Sequence, residues 1–193
     1  MSEIGSVELS LSELARRSGI SKPNIYRYFE SREEVLLQVW IEEVRELTDR
    51  LDASFATVPV GDIAATAAAI AAAFAAQPSL CELTSIVSPV LERNLSADAI
   101  VAAKRTLLGL SLRIGQLLHE RLPSLSLEDC VWAAAAAGTY VAGAWPAANP
   151  GPVAAEVFAH PELAGTKPVF TRDFTRFLEV IFTGLVRRRP VSG

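Results

Sequence analysis

The sequence predicts an all-α protein, and three observations carry that prediction. Apolar residues recur at helical spacing along nearly the whole chain, with no long run alternating apolar and polar. Serine-led capping boxes stand where helices should start. Gly and Pro fall between the periodic segments, where helices should stop. The composition suits a packed core. Of 193 residues, 50% are hydrophobic and 21% charged, with a net charge of −4. Disorder needs the opposite balance, and a low-complexity fibre would need a biased composition.

The elements follow in order. Ser10-Leu11-Ser12-Glu13 is a capping box, and Gly19 closes the short helix it opens. A second short helix starts after Ser21, with Pro23 in its first turn. Ser31-Arg32-Glu33-Glu34 opens a long helix with Val35, Leu36, Val39, Trp40, Val44, Leu47 and Leu51 on one apolar stripe. Beyond Val58-Pro59-Val60-Gly61 alanine dominates. Helices are expected at about 62–77, 79–93, 97–121, 126–145 and 170–188, punctuated by Pro78, Pro123 and Pro146. The stretch Pro146–Pro168 reads as a long loop with a helical turn near Pro152–Phe158. A head domain at 1–50 and a larger body at 51–193 are expected.

Several functions are excluded at this level. Two cysteines, Cys81 and Cys130, form neither a disulfide framework nor a zinc knuckle, and His119 and His160 are too few for a histidine metal site. No nucleophile elbow, phosphate loop, dinucleotide glycine pattern, HExxH or CxxC is present. Glu33-Glu34 and Glu42-Glu43 are adjacent carboxylates, which diverge by ~100° on a helix and cannot face each other as an acid/base pair. They read as solvated surface. The expectation is a protein with no enzymatic activity, no cofactor and no metal. Ile63–Ala76 and Val131–Trp145 are apolar, but both are shorter than the ~20 residues of a membrane span. With no basic-then-apolar leader at the N-terminus, a cytoplasmic chain with no membrane partner is expected.

The first two short helices have helix-turn-helix proportions: helix Leu11–Ser18, turn Gly19-Ile20-Ser21, helix Lys22–Phe29. Leu14, Ala15, Ile20, Ile25 and Phe29 supply a small core. The second helix presents Lys22, Asn24, Tyr26, Arg27 and Tyr28. Asn can pair with adenine, Arg with guanine, and Lys or Tyr can hold phosphate. Residues 10–32 carry five basic side chains against two acidic ones, a local +3 in an acidic protein.

Ser10–Trp40, SLSELARRSGISKPNIYRYFESREEVLLQVW, resembles the DNA-binding segment of the TetR (tetracycline-repressor) family. The likeness rests on the Leu-Ala pair, the Gly-Ile-Ser turn, the Tyr-x-Tyr-Phe helix end and a capped helix opening on a basic residue. Ala144–Pro150 is similar to a helix-ending element of some members. The resemblance implies that Lys22, Asn24 and Arg27 face the major groove of a double-stranded operator. It implies that Tyr26, Tyr28 and Arg32 hold backbone phosphates, and that Ser10 and Ser12 lie near the backbone. Only nine residues precede Ser10, fewer than the family's first helix and its connection occupy. Either the true start lies upstream, which the intact recognition helix favours, or the head has left DNA binding behind. In the second case the chain would be a helical homodimer that binds a ligand or a protein.

The body carries the remaining expectations. Phe170, Phe174, Phe177, Leu178, Ile181, Phe182 and Leu185 make a wide aromatic stripe. Cys130–Trp145 is apolar around its circumference, with Ala134, Gly138 and Ala142 as a small-residue line, so it should be buried on all sides. These helices, near 126–145 and 170–188, could form a two-fold four-helix bundle between subunits, or pack within one. The resemblance implies the homodimer. Candidate lining residues for a small hydrophobic effector are Phe74, Cys81, Leu83, Ile86, Leu110, Ile114, Trp132, Tyr140 and Trp145. Arg113 and His119 could orient a polar group on it. The whole reads as a regulator, a repressor that the effector releases from a pseudo-palindromic operator by population shift.

Overall fold

The computed structural model describes residues 31–87, 93 and 95–188. The helix-turn-helix, with Ser10, Ser12, Lys22, Asn24, Tyr26, Arg27 and Tyr28, lies outside the described residues. Among those described, seven α-helices and one 3-10 turn appear and no strand. They are α1 Arg32–Phe55, α2 Ile63–Ala75, α3 Pro78–Ile86, α4 Ala97–Arg121, α5 Leu127–Ala148, α6 Pro152–Phe158, the turn Ala164–Thr166, and α7 Phe170–Arg187.

Local chemistry explains most boundaries. Ser31 Oγ accepts from the Glu34 amide at 3.1 Å, and Asp62 Oδ1 from the Ala65 amide at 2.9 Å. Ser96 Oγ accepts from Ala99 N at 3.2 Å, and Ser126 Oγ from Asp129 N at 3.0 Å. Each satisfies a first-turn donor that the helix leaves orphaned. α7 has no side-chain cap at Val169, but Asp173 reaches back and accepts the Val169 amide at 2.8 Å. Gly61 sits at φ +85°, a conformation glycine adopts at no steric cost. Its amide donates to the Arg121 carbonyl at 2.7 Å, and Arg121 Nη1 donates to the Val58 carbonyl at 2.9 Å. These bonds tie the α1–α2 turn to the end of α4.

The helix expected over 79–93 is described as α3 to Ile86, and residues 88–92 lie outside the described residues. One expected boundary differs. Pro146 was expected to end its helix, yet α5 continues through it to Ala148. A proline near a C-terminus removes one backbone donor but leaves the last turn intact. Asn149 then caps the end, its amide donating to the Trp145 carbonyl at 2.9 Å and its Nδ2 to the same oxygen at 3.0 Å.

The helices pack as a bundle in which α5 touches α4, α3 and α7, while α2 lies along α7 and α1 along α4. Gly115 of α4 lies tight against α5. A Cβ there would run into Val131 Cγ2, with the Val131 backbone only 3.2 Å away. The main core joins α1, α2, α3, α4, α5 and α7 around Leu51, Ala71, Leu80, Leu117, Val141, Phe174 and Phe182. Two smaller clusters surround the first half of α1. Val35, Leu36 and Val39 pack on Leu83 and Val87, and Leu37 and Ile41 on Ala103. Trp40 packs against all three, and its Nε1 donates to Thr84 Oγ1 at 3.0 Å. The single stripe expected for this helix is therefore a wrap of apolar contact. α6 is the opposite case. It buries none of its residues, and Val153 is 78% exposed.

Candidate effector cavity and subunit face

Inside the main core lies a cavity of about 40 Å³, enclosed almost wholly by carbon. α1 contributes Leu47, Leu51 and Phe55; α2 contributes Ile70 and Phe74; α4 contributes Ile114 and Leu118. α5 contributes Ala133, Ala134 and Ala137, and α7 contributes Leu178 and Phe182. The three alanines make the space, because larger side chains on that face of α5 would fill it. With about 10–15 Å³ needed per water, the cavity holds roughly three water-sized groups. A larger guest would have to push its walls apart.

Of the residues singled out from the sequence, Phe74 and Ile114 line this cavity. The others lie elsewhere. Cys81 is fully buried in the same core, with Sγ 3.4 Å from the Phe74 carbonyl. Leu83 and Ile86 belong to the α1–α3 cluster, and Leu110 packs on the α1–α4 cluster. Arg113 is at the surface, paired with Asp52 at 2.9 Å. His119 Nδ1 lies 2.8 Å from the Leu125 carbonyl. Trp145 meets Phe170 edge-on at 4.9 Å and borders a surface depression with Lys167 and Thr171. Arg32 is the first residue of α1. As cavity-lining residues, Leu47, Leu51, Phe55, Ile70, Leu118, Ala133, Ala134, Ala137, Leu178 and Phe182 were not expected, although Leu47, Leu51, Leu178 and Phe182 stood on apolar stripes and Ala134 in the small-residue line. Their helical spacing is that of any core residue, so no signal marked them out.

Trp132 and Tyr140 lie on the outer side of α5. With Ala135, Ala136, Thr139, Phe177 and Ile181 they line an open apolar groove of about 520 Å³. Trp132 is 51% exposed and Val180 of α7 is 65% exposed. Burial of α5 on all sides was expected, but within one chain Trp132, Ala135, Thr139 and Gly143 remain exposed. Among the described residues no helix of the same chain covers that face. Beneath it, Tyr140 stacks on Phe177 at 4.2 Å and on Phe174 at 5.3 Å, and Phe174 meets Phe74 edge-on at 5.4 Å. Such ring pairs add to the stability that area burial gives. Burial, aided by the Asp173 carboxylate, pushes the Tyr140 hydroxyl above its ordinary pKa.

A second departure concerns Glu43. It was expected at the solvated surface, yet it is only 3% exposed. Its carboxylate accepts from Ser79 Oγ at 2.7 Å and from Gln77 Nε2 at 3.3 Å. Hydrogen bonds from the α2–α3 junction make the burial of a carboxylate tolerable. Its neighbour Glu42 behaves as expected, paired at the surface with Arg45.

Among the described residues no cluster of His, Cys, Asp and Glu could hold a metal ion. No single described helix is long and apolar enough to cross a membrane, and α2 and α3, which pass the test only together, meet at 84°.

Residues 1–39 match the family described as bacterial regulatory proteins, tetR family, and residues 37–189 match the tetracyclin repressor-like C-terminal domain. An N-terminal DNA-binding domain joined to this helical body defines a DNA-binding transcriptional regulator. The chain belongs to the TetR family. Regulators of this family are generally not enzymes. Among curated proteins, none matches the chain.

Proposed function

We propose that the protein is a homodimeric repressor, released from a pseudo-palindromic operator when a small hydrophobic effector enters the cavity among α1, α2, α4, α5 and α7. The observation that carries this reading is the double role of α1. Its second half walls the cavity, and its first residues, 32–39, fall within the segment that matches the family's N-terminal domain. An effector larger than the cavity must push its walls apart, and by displacing Leu47, Leu51 or Phe55 it would act on the helix that leads to the head. The apolar lining favours an aliphatic or aromatic guest. The exposed α5–α7 face, with Trp132, Tyr140, Phe177, Val180 and Ile181, supports pairing of two subunits into a four-helix bundle. Two-fold pairing would set two recognition helices about one DNA turn apart. In this reading Lys22, Asn24 and Arg27 read bases, and Ser10, Ser12, Tyr26, Tyr28 and Arg32 hold the backbone.

The test is a fluorescence-anisotropy titration of the full chain with its own upstream intergenic DNA and a shuffled control, at low and physiological salt. Preference for the upstream DNA at physiological salt is expected. Equal binding to both DNAs that vanishes with salt would overturn the operator reading.

A further inference from the structure

The buried carboxylate of Glu43 has no part in the cavity or in the α5–α7 face, yet it lies at a mechanically central point. It is eleven residues from Arg32 at one end of α1 and eight from Leu51 in the cavity wall. At ~1.5 Å per residue these are arms of about 16 and 12 Å. Facing it is the α2–α3 junction. Gln77 is the residue before α3, and its side chain makes no cap bond to that helix. Instead Nε2 points to α1, 3.3 Å from Glu43 Oε2 and 3.4 Å from the Glu43 carbonyl. Gln77 is itself only 5% exposed, and its Oε1 has no hydrogen-bond partner. Such an orphan is costly, so the amide is held in this orientation by what Nε2 gains. Ser79 adds the shortest bond, at 2.7 Å.

The same junction is wired to the cavity. The Gln77 amide donates to the carbonyl of Phe74 at 3.0 Å, and Cys81 Sγ lies 3.4 Å from that oxygen. The Phe74 ring is part of the cavity wall. One hydrogen bond therefore separates a lining residue from the partner of Glu43. Most contacts of α1 on either side of this point are apolar and non-directional, with the Trp40–Thr84 bond and the exposed Asp52–Arg113 pair beside them. The polar joint is directional, because a carboxylate with two donors fixes both rotation and height of the helix.

We propose that Glu43 is a positioning residue, and that the Glu43–Gln77–Ser79 joint is the pivot that sets the angle of α1 relative to the α2–α3 junction. This rests on the regulator reading only for its consequence on DNA; the geometric claim stands apart from it. Displacing Leu47 or Leu51 on one arm, or Phe74 through Gln77, turns α1 about the joint and moves the end next to the head. A tilt of ~10° over the longer arm displaces that end by roughly 3 Å.

The test uses the full chain with spin labels at Glu33→Cys and Glu120→Cys, diluted with unlabelled chain so that only intrachain distances count. The native thiols stay unlabelled, being buried and raised to about 12 and about 11. Ser79→Ala and Glu43→Gln are expected to shift or broaden the distance distribution by roughly 3 Å, while far-UV circular dichroism stays parental. The exchanged pair Glu43→Gln/Gln77→Glu keeps an acceptor for Ser79 and restores an amide–carboxylate bond, so it is expected to recover the parental distribution. A merely structural loss would not be rescued this way. Parental distances in both single variants overturn the proposal, and so does failure of the exchanged pair to restore them. In the anisotropy titration, variants with shifted distances are expected to lose about 10-fold in affinity for the upstream DNA. If the parent chain prefers no DNA, the regulator reading fails while the distance result still decides the pivot.

Discussion

Single residues in this chain act through very short distances. Gly115 of α4 lies tight against α5, with the Val131 backbone 3.2 Å from where a Cβ would be. Alanine is worth up to about 1 kcal/mol over glycine inside a helix. Here the collision outweighs that gain, and Gly115→Ala is expected to destabilise by about 1–3 kcal/mol, read as a lower melting temperature. Adding Val131→Ala should recover part of the loss. Cys81 and Cys130 make a second prediction. Burial is the main cause that pushes their thiols up, to about 12 and about 11, with nearby carboxylates adding to it. A thiol whose folded pKa is raised stabilises the fold fully below the ordinary thiol value. That contribution is lost as pH rises through the folded values. Denaturation midpoints should therefore fall as pH climbs from about 9 toward 11, and less steeply in Cys81→Ala and Cys130→Ala variants. None of this was legible in the sequence. Glu43 sits beside Glu42 in a run that looks solvated from its composition, and only the junction brought against it turns one of the pair inward.

Helices were far more legible than their contacts. α4 occupies 97–121 as its spacing predicts, because Ser96 caps it and Pro123 follows it. α3 is described only to Ile86, and α5 passes Pro146 because a missing amide in its last turn removes a single bond. Pro146→Ala would return that donor, and a modest rise in melting temperature is expected from calorimetry. The cavity was not legible, for a physical reason. Leu47, Leu51 and Phe55 recur at intervals of four whether they meet a neighbour or an empty space. Likewise Ala133, Ala134 and Ala137 look like a helix built for close approach, and it takes five helices around them to leave a void. The aromatic stripe of α7 was visible from its spacing, but its division was not. Phe174 and Phe182 turn into the core, while Phe177 and Ile181 border the open groove.

At the scale of the whole molecule, ring contacts link the outer groove to the internal cavity: Tyr140 of the groove stacks on Phe174, which meets Phe74 of the cavity wall edge-on. Changes on the two sides should be distinguishable. Val180→Asp or Trp132→Asp places a charge on the α5–α7 face and is expected to leave a folded monomer by light scattering, with operator affinity lost. Ala137→Leu, on the cavity side, is expected to stay dimeric and to mimic a bound guest, weakening operator binding about 10-fold by anisotropy. Parental affinity in this variant would argue against the cavity as the effector site. α6 offers a different kind of use. It buries no residue, its main contact is with the adjoining 3-10 turn, and it bridges two helices anchored independently in the core. Surface segments of this kind accept foreign sequence. A circularly permuted fluorescent domain spliced in place of Pro161 would sit in the connection between α5 and α7. Any rearrangement of that pair would then be reported as light, making the protein a sensor scaffold for a guest of the proposed cavity.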